Sequence, residues 1–126
     1  MSDQFNMSGD FRGAIVNIQS TLTNVQQNVN EIRTDNVDAR QELAKLIAEL
    51  SDVLREVPDS KQEQAEAVAQ TAKALVETVK SEKPNQTLLQ ITGEGLKQAA
   101  QNLADVLPAV VAISAQIVTA VMKLRG

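Results

Sequence analysis

Cysteine, histidine, tryptophan and tyrosine are all missing from this 126-residue chain, and its only aromatic residues are Phe5 and Phe11. Without cysteine there is no disulfide, no thiol nucleophile and no thiolate metal site. Without histidine the commonest general base and the commonest metal ligand are gone as well. Catalysis by Asp, Glu, Lys or Ser alone needs no residue type that is missing, but the usual catalytic cast is so depleted that the reading is not an enzyme, with no cofactor and no metal. Apolar residues make up 43% of the chain and aromatics only 2%, so the core has to be built from Leu, Val, Ile and Ala. That palette suits packed helices better than a β-sandwich.

Basic surplus is missing too. The net charge is −4, and residues 35–60 hold seven acids against three bases, so nucleic acid is not an expected partner. The first residues, MSDQFNMSGDF, have neither a positive n-region nor an apolar h-region. They do not read as a secretory signal, and a cytoplasmic location is the expectation. The length fits one domain with a modest core.

What is present is periodicity. The stretch Gly13–Asn30 carries no charge and is rich in Asn, Gln, Ser and Thr. Through it run Phe11, Ile15, Ile18, Leu22, Val25, Val29 and Ile32, spaced alternately by four and three. That is an uninterrupted heptad seam, whereas an alternating strand pattern fails at Ser20 and Asn24. Propensity opposes the helix, because Asn, Thr, Val, Ser and Gly13 are poor helix formers. The β-branched, charge-poor composition also matches a cross-β segment with Asn/Gln ladders. The reading is a helix over 14–33, with Ser20 as an alternative N-cap after an extended start, that depends on packing partners for its stability.

The next stretch, ARQELAKLIAELSDVLREV, is the clearest amphipathic helix in the chain. Leu43, Leu46, Ile47, Leu50, Val53, Leu54 and Val57 share one face, and Arg40, Glu42, Lys45, Glu49, Asp52 and Arg55 the other. Pro58 ends it. The two seams share one heptad register. A continuous rod with Asn36 as a buried, register-setting polar residue and a helix-turn-helix break at Asp35 and Asn36 therefore both fit, the latter because capping residues cluster there.

Further on, Ser60 and Glu63 have the spacing of a capping box. The helix it would start carries an Ala-rich stripe of Ala65, Val68, Ala72, Leu75 and Val79 that permits close approach, and Pro84 stops it. Asn85 can cap the last helical stretch, which Pro108 should kink or restart. The segment TGEGLK lacks the spacing of a phosphate-binding loop and reads as a flexible helix start or a place of close helix packing. The acids Glu42, Glu49, Asp52 and Glu56 read as a solvated face. Val106–Met122 is 17 residues without a charge, with Val106, Val110, Ile113, Ile117 and Val121 along it. Its span of about 25 Å falls short of a bilayer core, so it reads as a nearly buried bundle helix, with a membrane-active helix as the sharper alternative. The opposite strip of this helix is narrow and small or polar: Asp105, Ala109, Ala112, Gln116, Thr119 and Lys123.

Two segments, FNMSGDFRGAIVNIQSTLTNV and EKPNQTLLQITGEGLKQAAQNLADVLPAVV, resemble a family of small, uncharacterised helical proteins and modules of cyanobacteria. The resemblance covers most of the chain and carries no catalytic motif. It implies an interaction or oligomerisation role and no site residues.

The expectation is an all-α helical bundle with an N-terminal coiled-coil-like segment, assembled as an oligomer of three or four chains. Residues 1–12 would be a flexible N-terminus, 13–57 the heptad segment with a break near 35, and 60–126 a helical hairpin completing the bundle. The function expected is a non-enzymatic, self-associating scaffold or adaptor, a homo-oligomer that could also bind other helical proteins. The alternative is a membrane-active effector using residues 106–122. On the first reading, Leu22→Asp or Val25→Asp dissociates the oligomer and leaves residues 60–124 helical.

Overall fold

The computed structural model describes residues 2–81 and 85–125, with side chains over 15–81 and 85–124. Among them there is no strand. Five α-helices are present: α1 (Ser2–Asn30), α2 (Val37–Leu54), α3 (Gln62–Lys80), α4 (Gln86–Gln101) and α5 (Pro108–Arg125). The heptad periodicity of Gly13–Asn30 prevails over its poor propensity, and the cross-β alternative is replaced by helix. Residues 2–12 are also helical, where a flexible segment was expected, and there is no extended start before Ser20.

The chain breaks between α1 and α2. Glu31 and Ile32 donate to the carbonyls of Asn28 and Val29 in a tightened last turn, and the Arg40 guanidinium donates to the Ile32 carbonyl at 3.1 Å. Asn36 then caps α2, its Oδ1 accepting from the Ala39 amide at 3.1 Å. Asn36 is exposed. It is therefore a helix cap and not a buried register-setter, because a side chain that satisfies a first-turn amide stops the preceding helix from running through. Asn85 caps α4 in the same way, accepting from the Leu88 amide at 3.0 Å.

The capping box expected at Ser60 and Glu63 does not form. Pro58 is followed by a 3₁₀ turn, Asp59–Lys61, closed by the Lys61 amide on the Pro58 carbonyl at 2.9 Å, which takes Ser60 into the turn. Lys61 precedes α3 without a side-chain cap. The last half of the chain also differs from the expected hairpin. Pro108 opens a new helix, where its missing N–H costs nothing, so the described residues of 60–126 hold three α-helices.

The relative directions of α1, α2 and α3 follow from pairs of touching residues, and single contacts place α4 and α5 beside them. Gln19 reaches Ser51, Gln26 reaches the Ala44 carbonyl and Arg40 reaches the Ile32 carbonyl, so α1 and α2 are antiparallel. Lys80 bonds Asn28 while Ala69 lies by Ile18, so α3 runs parallel to α1. Gly95 faces Thr71 and Gly93 faces Val118, and Lys123 pairs with Glu42 at 3.5 Å. The principal neighbours form a circuit in the order α1, α2, α5, α4, α3, with smaller contacts from α3 to α5.

One core fills this circuit. It includes Ile18, Leu22, Val25, Val29 and Ile32 of α1, Leu43, Ile47, Leu50 and Leu54 of α2, and Leu75 and Val76 of α3. Leu89 and Leu96 of α4 and Val110, Ile117 and Val121 of α5 complete it. The stripe Ala65, Val68, Ala72, Leu75 and Val79 is wholly buried, as its spacing predicts.

The two glycines of TGEGLK sit inside α4 at helix contacts, in agreement with close packing. A Cβ at Gly93 would lie 3.4 and 3.7 Å from the Val118 methyls, ordinary contact distances. Gly93→Ala is therefore expected to stabilise the fold by roughly 0.5–1 kcal/mol, since a helical glycine pays the larger backbone entropy. A urea midpoint that falls would refute this. At Gly95 the new Cβ would meet the Thr71 Cγ2 at 3.1 Å, so the same change should gain less there.

Candidate interaction surface

The residues expected to form an oligomerisation seam do not face outward. Ile18, Leu22, Val25, Val29 and Ile32 are buried in the chain's own core, and Ile15 is half-buried. The side chain of Phe11 lies outside the described residues. The face that a second chain was expected to cover is covered by α2 and α3. Between residues 15 and 30, where its side chains are described, α1 shows to solvent Val16, Asn17, Ser20, Thr23, Asn24, Gln27 and Asn30, polar but for Val16 and without a charge.

Polar side chains fasten α1 from the outside. The Gln19 amide donates to the Ser51 carbonyl at 3.0 Å, and its Oε1 accepts from the Ser51 hydroxyl at 2.8 Å and from Arg55 at 3.1 Å. At the C-terminal end of α1, Lys80 Nζ bonds Asn28 Oδ1 at 3.0 Å and Glu31 Oε1 at 2.5 Å. Glu31, Arg33, Val79, Lys80 and Ser81 line a groove of about 560 Å³ at this end. Its lysine is engaged by protein oxygens, so the groove offers Arg33 as its other cation. Among the described residues, no group of three or more acidic side chains is placed to hold a metal ion.

α5 explains the long uncharged run. Val110, Ile113, Ile117 and Val121, named as a membrane-active face, are buried against the neighbouring helices; Val106 stands in the turn ahead of α5 and is 38% exposed. No helix among the described residues is long and apolar enough to cross a membrane. Ser114 is fully buried and its hydroxyl has no partner. Ser114→Ala should accordingly be neutral or stabilising by up to about 1 kcal/mol, because an unbonded buried hydroxyl opposes folding; thermal denaturation measures it, and a clear loss of stability would show that the hydroxyl is bonded in solution.

The other face of α5 is the feature that sequence reasoning recorded but did not use. Ala109, Ala112, Ala115, Gln116, Thr119 and Met122 are all exposed, and none is charged. The Thr119 hydroxyl donates to the Ala115 carbonyl at 3.1 Å, so its donor is already satisfied within the helix. α2 and α3 instead expose charged residues such as Glu42, Lys45, Asp52, Glu63 and Glu77. At the two ends of the α5 face stand Asp105, paired with Lys61 at 3.7 Å, and Lys123, paired with Glu42. Chemically this surface can do one thing well, which is to receive another helix at short range without leaving charges unpaired.

The chain matches no protein family, no curated protein and no solved structure at a significant level of similarity.

Proposed function

We propose that the protein is a non-enzymatic, self-associating scaffold or adaptor whose helical bundle presents an uncharged helix face for assembly. The observation that carries this reading is the exposed, charge-free face of α5 from Ala109 to Met122, on a helix whose opposite side is core. An exposed helix face without charge lacks the usual means of keeping a helix solvated, and marks a place where protein meets protein. The seam of α1 lends no support to the reading: its apolar residues are spent inside the chain, so assembly has to use another surface. The test is the solution mass by light scattering over a range of concentrations. Assembly predicts a mass that rises above the 13.6 kDa of one chain. A monomer at every concentration up to the solubility limit would overturn the reading.

A further inference from the structure

We infer that two copies of this chain pair through α5, antiparallel and about a two-fold axis that crosses the helix at the level of Ser114. This rests on the self-association proposed above and names its surface and register.

The argument starts from spacing. Asp105, Ala109, Ala112, Gln116, Thr119 and Lys123 recur at alternating intervals of four and three, the period of a coiled-coil seam. The four between the ends lie on the exposed side of α5. An antiparallel pair about this axis sets Ala112 opposite the second copy's Gln116, and Ala109 opposite the second copy's Thr119. One turn further out, Val106 faces the second copy's Met122 and Asp105 faces the second copy's Lys123. Opposite charges therefore meet at both ends of the interface, twice by symmetry. A closed two-fold contact requires this self-complementarity.

Exposure obeys the same symmetry. Val106 and Met122 are 38% and 39% exposed, and they are the large apolar side chains that flank this face at its two ends. The pairing covers both. The amides of Val106 and Leu107 both reach the Leu103 carbonyl, at 3.1 and 2.7 Å, so the chain is already wound in a tight turn ahead of Pro108 and holds Asp105 and Val106 at the foot of α5. Alanine at the central layers lets the two helices approach closely. Only Gln116 brings an unsatisfied amide, and the two Gln116 residues flank the axis, where each amide can pair with the other. The exposed face of α1 is a poorer choice, since covering it would desolvate Asn17, Asn24, Gln27 and Asn30 together.

Mixing of charge variants tests the register. Asp105→Lys alone and Lys123→Glu alone each place like charges opposite one another at both ends, and each should weaken the dimer roughly tenfold or more. An equimolar mixture of the two variants restores opposite charges at both ends and should restore the wild-type mass. Each change also breaks an exposed ion pair within the chain, Asp105 with Lys61 or Lys123 with Glu42, and because such pairs add little to stability the circular dichroism of each variant should be unchanged. Since the chain has no native cysteine, Ala112→Cys and Gln116→Cys provide a second reading: mixed, they should form a disulfide faster than either variant alone. An oligomeric wild type whose mixed variants neither recover mass nor cross-link would overturn the α5 pairing and leave self-association standing. A monomeric wild type would overturn both.

Discussion

Leu22→Asp is expected to unfold the whole chain rather than to separate folded chains from one another. Leu22 is buried in the core, at a level where α1 has α2 on one side and α3 on the other. Two losses combine. Removing a buried leucine costs about 2–5 kcal/mol. Placing a carboxyl group there adds a penalty of about 4 kcal/mol at pH 7, because burial shifts its pKa by about 3–5 units and the group takes up a proton rather than stay charged. Together these match the 5–15 kcal/mol that holds a typical domain folded. Val25→Asp carries the same argument, since Val25 is equally buried. Far-UV circular dichroism checks the expectation: helicity should fall well below what retained helices over 60–124 would give. α3 lies against α1 along its length, so losing α1 uncovers Ala65, Ala69 and Ala72. If residues 60–124 kept a cooperative thermal transition in the variant, α1 would not belong to the common core.

This outcome reverses the effect that heptad spacing alone suggests, and the reversal has a physical reason. A seam of apolar residues spaced by three and four says that a helix has a partner; it says nothing about which chain the partner belongs to. The positions from Ile18 to Ile32 are occupied in the same pattern whether the neighbour is a second copy or α2 and α3. The deciding signals were local and legible: Thr34, Asp35 and Asn36 form a capping cluster, and Asn36 does cap α2. One other signal misled. Ser60 and Glu63 have capping-box spacing, but Pro58 winds Asp59–Lys61 into a 3₁₀ turn and moves the helix start past Ser60. Pro108 restarts the chain as α5, one of the two outcomes its position allows, and the expected hairpin over 60–126 is three helices among the described residues.

The candidate surface was half legible for the same reason. Spacing set Asp105, Ala109, Ala112, Gln116, Thr119 and Lys123 on one strip. Its width and its role depended on how much of α5 the rest of the chain covers. A run of 17 uncharged residues fits a wholly buried helix, a lipid-facing helix or an interface equally well. The bundle buries Val110, Ile113, Ile117 and Val121 and leaves the alanine side open. That division is a tertiary fact, and only the packing of α5 against α2 and α4 supplies it.

The contact between α1 and α3 is where a single larger side chain should do the most damage. Ala69 is 1% exposed, and the space it shares with Asn17, Ile18, Thr21, Glu66 and Gln70 amounts to about 10 Å³. That is at or below what one water molecule needs. Ala69→Leu therefore has nowhere to put its branched end, and the two helices must separate or the side chains leave their rotamers. Overpacking of this kind costs about 1–3 kcal/mol, which for a chain of this size lowers the Tm by roughly 5–15 °C. The strain should fall on α1 in preference to α3. α1 between Gly13 and Asn30 is held by packing against intrinsic propensity, whereas Ala, Glu, Gln and Lys in α3 favour helix by themselves. Amide exchange should then accelerate first over Ile18–Val29, ahead of α4 and α5. Ala67→Leu is the control, because Ala67 lies on the exposed side of the same helix, and its effect should stay within about 0.5 kcal/mol. Equal stability of the two variants would mean that α1 and α3 do not pack at alanine distance, and with it the account of why a helix of such poor propensity forms at all would fail.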